Sequence, residues 1–243
     1  NINEFKKSIQ NGITLADDGN LVIFGVTPTH PATGYGYIKA NNKTKEDSII
    51  ANKVEKFIEK PDLKTAEFLI KDKKYSWNSG MFVFKASSIL EELSKFAPEI
   101  VSNCKDCISK SKVDLDFLRL EELSFAKCSD ISIDVAVFEK TQKAFVLPLN
   151  CGWDDIGSWE SLWKLSKKDL NGNSIKGKVL VKETKTSLIR AGEKLVVSLG
   201  LKDVMIVDTN DALLVANKNF SQEIKNIVSI LNKKKFREGK IHK

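Results

Sequence analysis

Apolar positions along the chain fall into two regimes, one on either side of about residue 168. In the first, continuous apolar runs alternate with helical stripes. Phe5, Ile9, Ile13 and Leu15 recur at near-helical spacing and predict a helix over residues 4–17. Asp17-Asp18-Gly19-Asn20 is a turn, and Leu21 to Val26 is an unbroken apolar run, the pattern of a strand buried on both faces. Residues 35–40 and 49–58 predict two more strands, separated by a polar hairpin tip at 41–48. Pro61 ends the second strand, and Asp62 is placed to cap a helix over Leu63–Lys71. Residues 75–84 read as a polar loop running into a strand, with Asn78, Ser79 and Gly80 at its entry. Residues 86–127 read as mostly helical. One stripe passes through Ile89, Leu90, Leu93 and Phe96 to a break at Pro98; a second passes through Leu115, Leu118, Leu120, Leu123 and Phe125. A short helix follows over 132–140, with Asp134 near its start. Then come a buried strand from Lys143 and a helix from Glu160 in which Leu162, Trp163 and Leu165 can face a core.

Asp169-Leu-Asn-Gly-Asn173 is turn-rich and marks the expected domain boundary, giving units 1–168 and 169–243. Beyond it, short β-like runs at 178–182, 186–190, 195–199, 204–208 and 212–216 alternate with turns. That spacing predicts a small all-β unit, either a sandwich or a few β-helix coils. Asp208 and Asp211 bracket Thr209-Asn210 and read as a turn. A helix from Ser221 to about Lys234 closes the chain, with Ile224, Ile227, Val228 and Leu231 on one face.

Composition narrows the class of protein. Hydrophobic residues are 42% and charged residues 29%, as in an ordinary globular chain, and no apolar run is long enough to span a bilayer. The net charge is +7, but the lysines are interspersed with acidic residues. They predict a solvated surface with affinity for small anions, and no nucleic-acid or membrane partner. Cys104 and Cys107 lack a second Cys pair, and His30 and His242 lie far off in sequence, so a metal site there is not expected. With Cys128 and Cys151 they read as reduced thiols of a cytoplasmic protein.

Candidate chemistry collects at strand ends. Asp154 and Asp155 sit between a strand and a helix, flanked by Gly152 and Gly157. Ligands of open α/β sheets bind beyond the carboxyl ends of strands. A carboxylate there either caps the helix or holds a hard cation such as Mg2+; the local pattern leaves both open. Gly34-x-Gly36 lies in a loop rich in Gly and Pro, without the third glycine of a dinucleotide fingerprint. Glu59 and Lys60 are adjacent at a strand end and would point to opposite faces if the strand stayed regular. Either one accepts sugar hydroxyls while the other meets a phosphate, or both form an edge pair facing water.

Several stretches, in order, resemble the mannose-1-phosphate guanylyltransferases. They are Thr27-Pro-Thr with Thr33-Gly-Tyr-Gly-Tyr-Ile, Phe57-Ile-Glu-Lys-Pro, Trp77-Asn-Ser-Gly-Met-Phe, Ser132-Ile-Asp-x-Ala-Val-x-Glu-Lys and Trp153-x-Asp-Ile-Gly-Ser-Trp. Residues 200–215 resemble the C-terminal β-helix of the same family. The resemblance implies an α/β fold: a Rossmann-like nucleotidyltransferase domain, partial here, then a small β-helix-like domain and a C-terminal helix. It implies a transferase that joins GTP and mannose 1-phosphate, with Mg2+ as cofactor, giving GDP-mannose and pyrophosphate. Matched motif by motif, Asp155 would be a catalytic Mg2+ ligand, and Glu59 would accept hydrogen bonds from mannose hydroxyls. Lys60 would be catalytic at the sugar phosphate, and Gly36 and Asn78 would line the sugar pocket. Asp154 falls at a variable position of the motif, and Asp134 and Lys140 match positions without an assigned role.

The family's Gly-x-Gly-x-Arg nucleotide loop and its second Mg2+-binding Asp are not among these residues. The resemblance therefore implies an N-terminally truncated enzyme holding the sugar half of the site. Such a chain is expected to be inactive alone and to carry an exposed sheet edge; a homodimer is allowed for. The alternatives are a nucleotidyltransferase for another hexose 1-phosphate and a non-catalytic pyrophosphorylase-like binding or regulatory subunit. Retention of Asp155, Glu59 and Lys60 argues against the last.

Overall fold

A computed structural model describes residues 1–42 and 50–239. Most of the polar tip expected at 41–48 lies outside the described residues. The chain divides into two compact units, Asn1–Trp153 and Asp154–Lys243, and the turn-rich break at Asp169 falls within the second.

In the first unit, α1 (Ile2–Asp17) begins at Asn1, whose side chain accepts a hydrogen bond from the Glu4 N–H at 3.3 Å. Its buried residues are small: Ser8, Gly12 and Ala16. The apolar run predicted as a doubly buried strand is β1 (Leu21–Val26), with its first five residues buried. Then follow β2 (Tyr37–Ala40), β3 (Asn52–Ile58), α2 (Leu63–Leu69) and β4 (Tyr75–Val83). Asp62 caps α2 by accepting from the Thr65 N–H at 2.7 Å. The polar loop expected at 75–80 is strand instead. β4 pairs with both β1 and β2, and that two-sided ladder outweighs the weak β-propensity of Asn78 and its serine neighbours.

α3 (Ala86–Phe96) and α4 (Pro98–Ser109) carry the first apolar stripe, broken at Pro98 as expected. The second stripe is not one helix. It forms a hairpin of β5 (Lys112–Asp114) and β6 (Phe117–Arg119) and then the single turn α5 (Glu122–Phe125). Its apolar side chains face outward, with Leu115 at 89% and Leu123 at 74% exposed. A π-helix over Asp134–Phe138 buries Ala136, Val137 and Phe138, and β7 (Ala144–Pro148) completes the unit.

The strands close into a ring in the order β1-β4-β2-β3-β7. β1 and β7 are parallel, and the other pairings are antiparallel. β3 returns to β7 through Asn52 opposite Val146. The exposed edge expected of a partial sheet is therefore not found among the described strands of this ring. Leu21, Ile23, Ile38, Val146 and the π-helix residues share one core, in which Phe138 stacks on Phe82 at 4.6 Å.

The second unit opens with α6 (Trp159–Leu165), on which Leu165 is exposed rather than turned to a core. Six strands follow: β8 (Ser174–Lys176), β9 (Val179–Lys182), β10 (Leu188–Arg190), β11 (Val196–Leu199), β12 (Val204–Asp208) and β13 (Leu213–Asn217). β8, β10 and β12 pair in parallel, as do β9 and β11. Parallel stacking of successive short strands is the coil arrangement of a β-helix and excludes the sandwich. β13 returns antiparallel on β12, and a 3-10 turn leads into α7 (Ile224–Lys233). Asp208 accepts hydrogen bonds from the Gly192 N–H and from Lys194 and serves this scaffold. All four cysteines are free thiols. No helix among the described residues is long and apolar enough to cross a membrane.

Phe138→Ala is expected to destabilise the first unit by about 3–5 kcal/mol, and Leu123→Ser by less than about 0.5 kcal/mol. Denaturant midpoints would check both, and the reverse ranking would return the second apolar stripe to the core.

Candidate active site

The strand register of the first unit builds the site. Tyr37 lies opposite Ile58 on one side and Trp77 on the other. Extending both antiparallel ladders by one residue sets Gly36 between Glu59 and Asn78. The Asn78 N–H donates to the Gly36 carbonyl at 2.7 Å. A Cβ added at Gly36 would stand 2.7 Å from Glu59 Oε2 and 3.1 Å from the Phe57 ring. Glycine is thus required at this point by close approach of neighbours, and its missing side chain lets the Glu59 carboxylate lie over the Gly36 backbone.

Glu59 and Lys60 do not point to opposite faces. Regular strand ends at Ile58, and Lys60 adopts a left-handed backbone with φ of 45°. That conformation is uncommon for a residue with a side chain. It brings the Lys60 ammonium to 2.9 Å from Glu59 Oε1, with the carboxylate mostly covered and the ammonium exposed. The reading of an edge pair facing water therefore fails for Glu59. Pro61 is the sequence signal that regular strand does not continue.

Asn78 is held at both ends of its carboxamide. Nδ2 donates to Asp134 Oδ1 at 3.0 Å, and Oδ1 accepts from the Gly80 N–H at 3.0 Å. Asp134 opens the π-helix, a geometry that recurs at functional sites. Burial, and secondarily the nearby Glu59 carboxylate, push the Asp134 carboxyl up from its ordinary value, while the Asn78 hydrogen bond opposes the shift. Gly36, Glu59, Lys60 and Asn78, each singled out in the sequence, thus meet in one cluster. Asp134 joins them, and only its place in the matched motif points to it. Lys140 is exposed beyond the π-helix.

Aromatic edges fix the loop that leads into this row. Trp77 meets His30 at 4.9 Å and Tyr35 at 5.1 Å, and Tyr35 meets Trp153 at 5.7 Å.

In the second unit, neither Asp154 nor Asp155 caps α6. Ser158 does, accepting from the Ser161 N–H at 3.1 Å. Asp154 accepts from the Ile156 N–H at 2.8 Å, which makes it a turn residue. Asp155 is exposed, and any side chain at Gly157 would overlap its Oδ2. The turn thus leaves an oxygen ligand open, which suits a hard cation. Among the described residues, no group of three or more His, Cys, Asp or Glu is arranged to hold a metal by itself. A Mg2+ at Asp155 would draw its remaining ligands from water and substrate phosphates, as this ion commonly does.

Comparison with known proteins places these features. The family model described as Nucleotidyl transferase matches residues 2–172, and one described as MannoseP isomerase/GMP-like beta-helix domain matches residues 177–231. A curated protein of Escherichia coli, named mannose-1-phosphate guanylyltransferase, is 42% identical over 243 residues; the match covers 100% of this chain and 52% of that protein. One of the same name from Salmonella montevideo is 47% identical over 227 residues, covering 92% of this chain and 48% of its own length. The chain spans about half the length of the curated relatives it matches. A crystal structure from Thermus thermophilus, titled mannose-1-phosphate geranyltransferase, aligns with a TM-score of 0.77 at 26% identity, covering 96% of this chain and 66% of that one.

The raised Asp134 carboxyl has a consequence for stability. Folding disfavours its ionised form, so the penalty is absent below the ordinary Asp range, near pH 4, and sets in as pH rises through that range. Asp134→Asn keeps an acceptor for Asn78 and removes the penalty. Its melting temperature is expected to match the parent chain in acid and exceed it at neutral pH. A constant offset across a pH series of thermal melts would contradict this.

Proposed function

The chain belongs to the nucleotidyl transferase family, whose model it matches over residues 2–172, and on that footing we propose that it carries the sugar-phosphate half of a mannose-1-phosphate guanylyltransferase. The reaction joins GTP and mannose 1-phosphate. A phosphate oxygen of the sugar phosphate bonds to the α-phosphorus of GTP as the bond to the leaving pyrophosphate breaks, giving GDP-mannose.

One observation carries the reading: Glu59, Gly36 and Asn78 form a row across three adjacent strands, with the Lys60 ammonium at its rim. A hexose edge would lie against this row. Glu59 accepts its hydroxyl protons, and Asn78 borders it. The exposed head of Lys60 can swing from Glu59 to an incoming phosphate. The names of the curated relatives support mannose as the sugar and guanosine as the nucleoside. Asp155 would hold Mg2+, which offsets the charge of the phosphates when bound. The free thiols fit a cytoplasmic protein. The glycine-rich nucleotide loop is not among residues 1–243, so these residues alone would bind sugar phosphate without turning it over.

Calorimetric titration of the 243-residue chain is expected to detect mannose 1-phosphate binding that tightens with Mg2+. Glucose 1-phosphate should bind more weakly, and chromatography of a mixture with GTP should find no GDP-mannose. Lys60→Ala should weaken binding by roughly ten- to a hundred-fold, the range for a charge-assisted contact. Asp155→Ala should abolish the gain from Mg2+ and leave metal-free affinity unchanged. Equal affinity for both sugar phosphates would remove the mannose assignment. GDP-mannose formed by the chain alone would remove the half-site reading.

A further inference from the structure

The cluster contains a carboxylate to which the proposed chemistry gives no role. Asp134 is half-buried, and the residues that follow it, Ala136, Val137 and Phe138, anchor its helix in the core. The carboxylate is therefore carried on an element anchored in the core and meets Asn78 of β4. Its environment is a poor one for a purely structural charge. The one side chain that donates to it among the described residues is Asn78. The Lys60 ammonium acts on it electrostatically and stands 2.9 Å from Glu59. A second carboxylate, Glu59, is close enough to act on it electrostatically. Two carboxylates thus stand together beside the Asn78 amide, and an ionised carboxylate only accepts hydrogen bonds. Vicinal hydroxyls are neutral donors and satisfy such a pair without adding charge.

Resting on the sugar-phosphate reading above, we propose that Asp134 accepts a hydroxyl of the bound hexose alongside Glu59 and so helps determine which sugar the site takes. Asn78 is the brace between them. Its carboxamide is clamped by Asp134 and by the Gly80 N–H, each at 3.0 Å, so Oδ1 faces the strand and one N–H is spent on Asp134. The remaining N–H is left for a ligand hydroxyl. The two carboxylates and this amide then meet different hydroxyls of one ring. A hexose epimer that turns one hydroxyl away leaves its acceptor buried and unsatisfied, and this is the strongest form of discrimination open to a polar pocket.

The test is a ligand series against the 243-residue chain and its Asp134→Asn variant: mannose 1-phosphate and its 2-, 3-, 4- and 6-deoxy analogues, each titrated with Mg2+ present. The parent chain is expected to lose roughly ten- to a hundred-fold in affinity for each analogue whose missing hydroxyl met a carboxylate. In Asp134→Asn, which keeps the brace to Asn78, affinity for mannose 1-phosphate should fall by a similar factor. One of those deoxy penalties should nearly vanish while the others persist. A purely structural Asp134 would weaken all ligands alike and preserve every penalty, and that result overturns the inference while leaving the sugar-phosphate reading intact. Failure of the folded parent chain to bind mannose 1-phosphate at all would overturn both. Thermal melts of the variant separate misfolding from loss of contact.

Discussion

The close approach of three neighbouring strands at Gly36 governs the arrangement of this molecule's first unit. Glu59 Oε2 and the Phe57 ring occupy the space that any side chain at that position would fill. The register that enforces this contact runs through Tyr37, fully buried and paired with Ile58 and Trp77. A one-residue slip would turn Tyr37 and Phe57 out of their cores and exchange the faces of Glu59 and Asn78. The hydrophobic pattern of the strands and the polar row across them are therefore one constraint. Burial of the aromatic and aliphatic side chains sets the register, and the register sets the site.

Electrostatics at the site follow from that placement. Glu59 would be expensive to cover without a cation, and the left-handed turn at Lys60 supplies one. Backbone strain of this kind persists only where the surroundings dictate it, and it concentrates at functional positions. Asp134 is held by the Asn78 amide and a core-anchored π-helix, with Lys60 acting on it electrostatically. The second unit prepares its carboxylate by a different route. Ser158 takes over the capping of α6, and Gly157 keeps space beside Asp155.

Sequence and structure agree wherever the chain's pattern is strong. The unbroken run at β1, the capped helix after Pro61 and the break at Pro98 each reflect a local physical rule with no close competitor. Two expectations fail for non-local reasons. Residues 75–80 look like a loop because Ser76, Asn78, Ser79 and Gly80 have little intrinsic preference for strand, yet two neighbouring strands satisfy their backbone from both sides. Leu115 to Phe125 look like a buried helix because leucines recur at helical spacing. The left-handed residue at Leu115 and the hairpin around it spread those side chains into solvent.

The class of the protein is legible in the residues alone, since the motifs and their order carry the family and single out Gly36, Glu59, Lys60, Asn78 and Asp155 as candidates for its site. The two-part organisation is legible too, through the change from mixed runs to evenly spaced short strands. Three features emerge only from the folded chain: how Glu59 and Lys60 face, the capping of α6 by Ser158, and the place of Asp134 beside Asn78. Each of them turns on backbone conformation or on contacts between residues distant along the chain. Local propensity cannot encode them, because the competing local conformations differ by about 1 kcal/mol or less, and burial and pairing across the fold settle the choice.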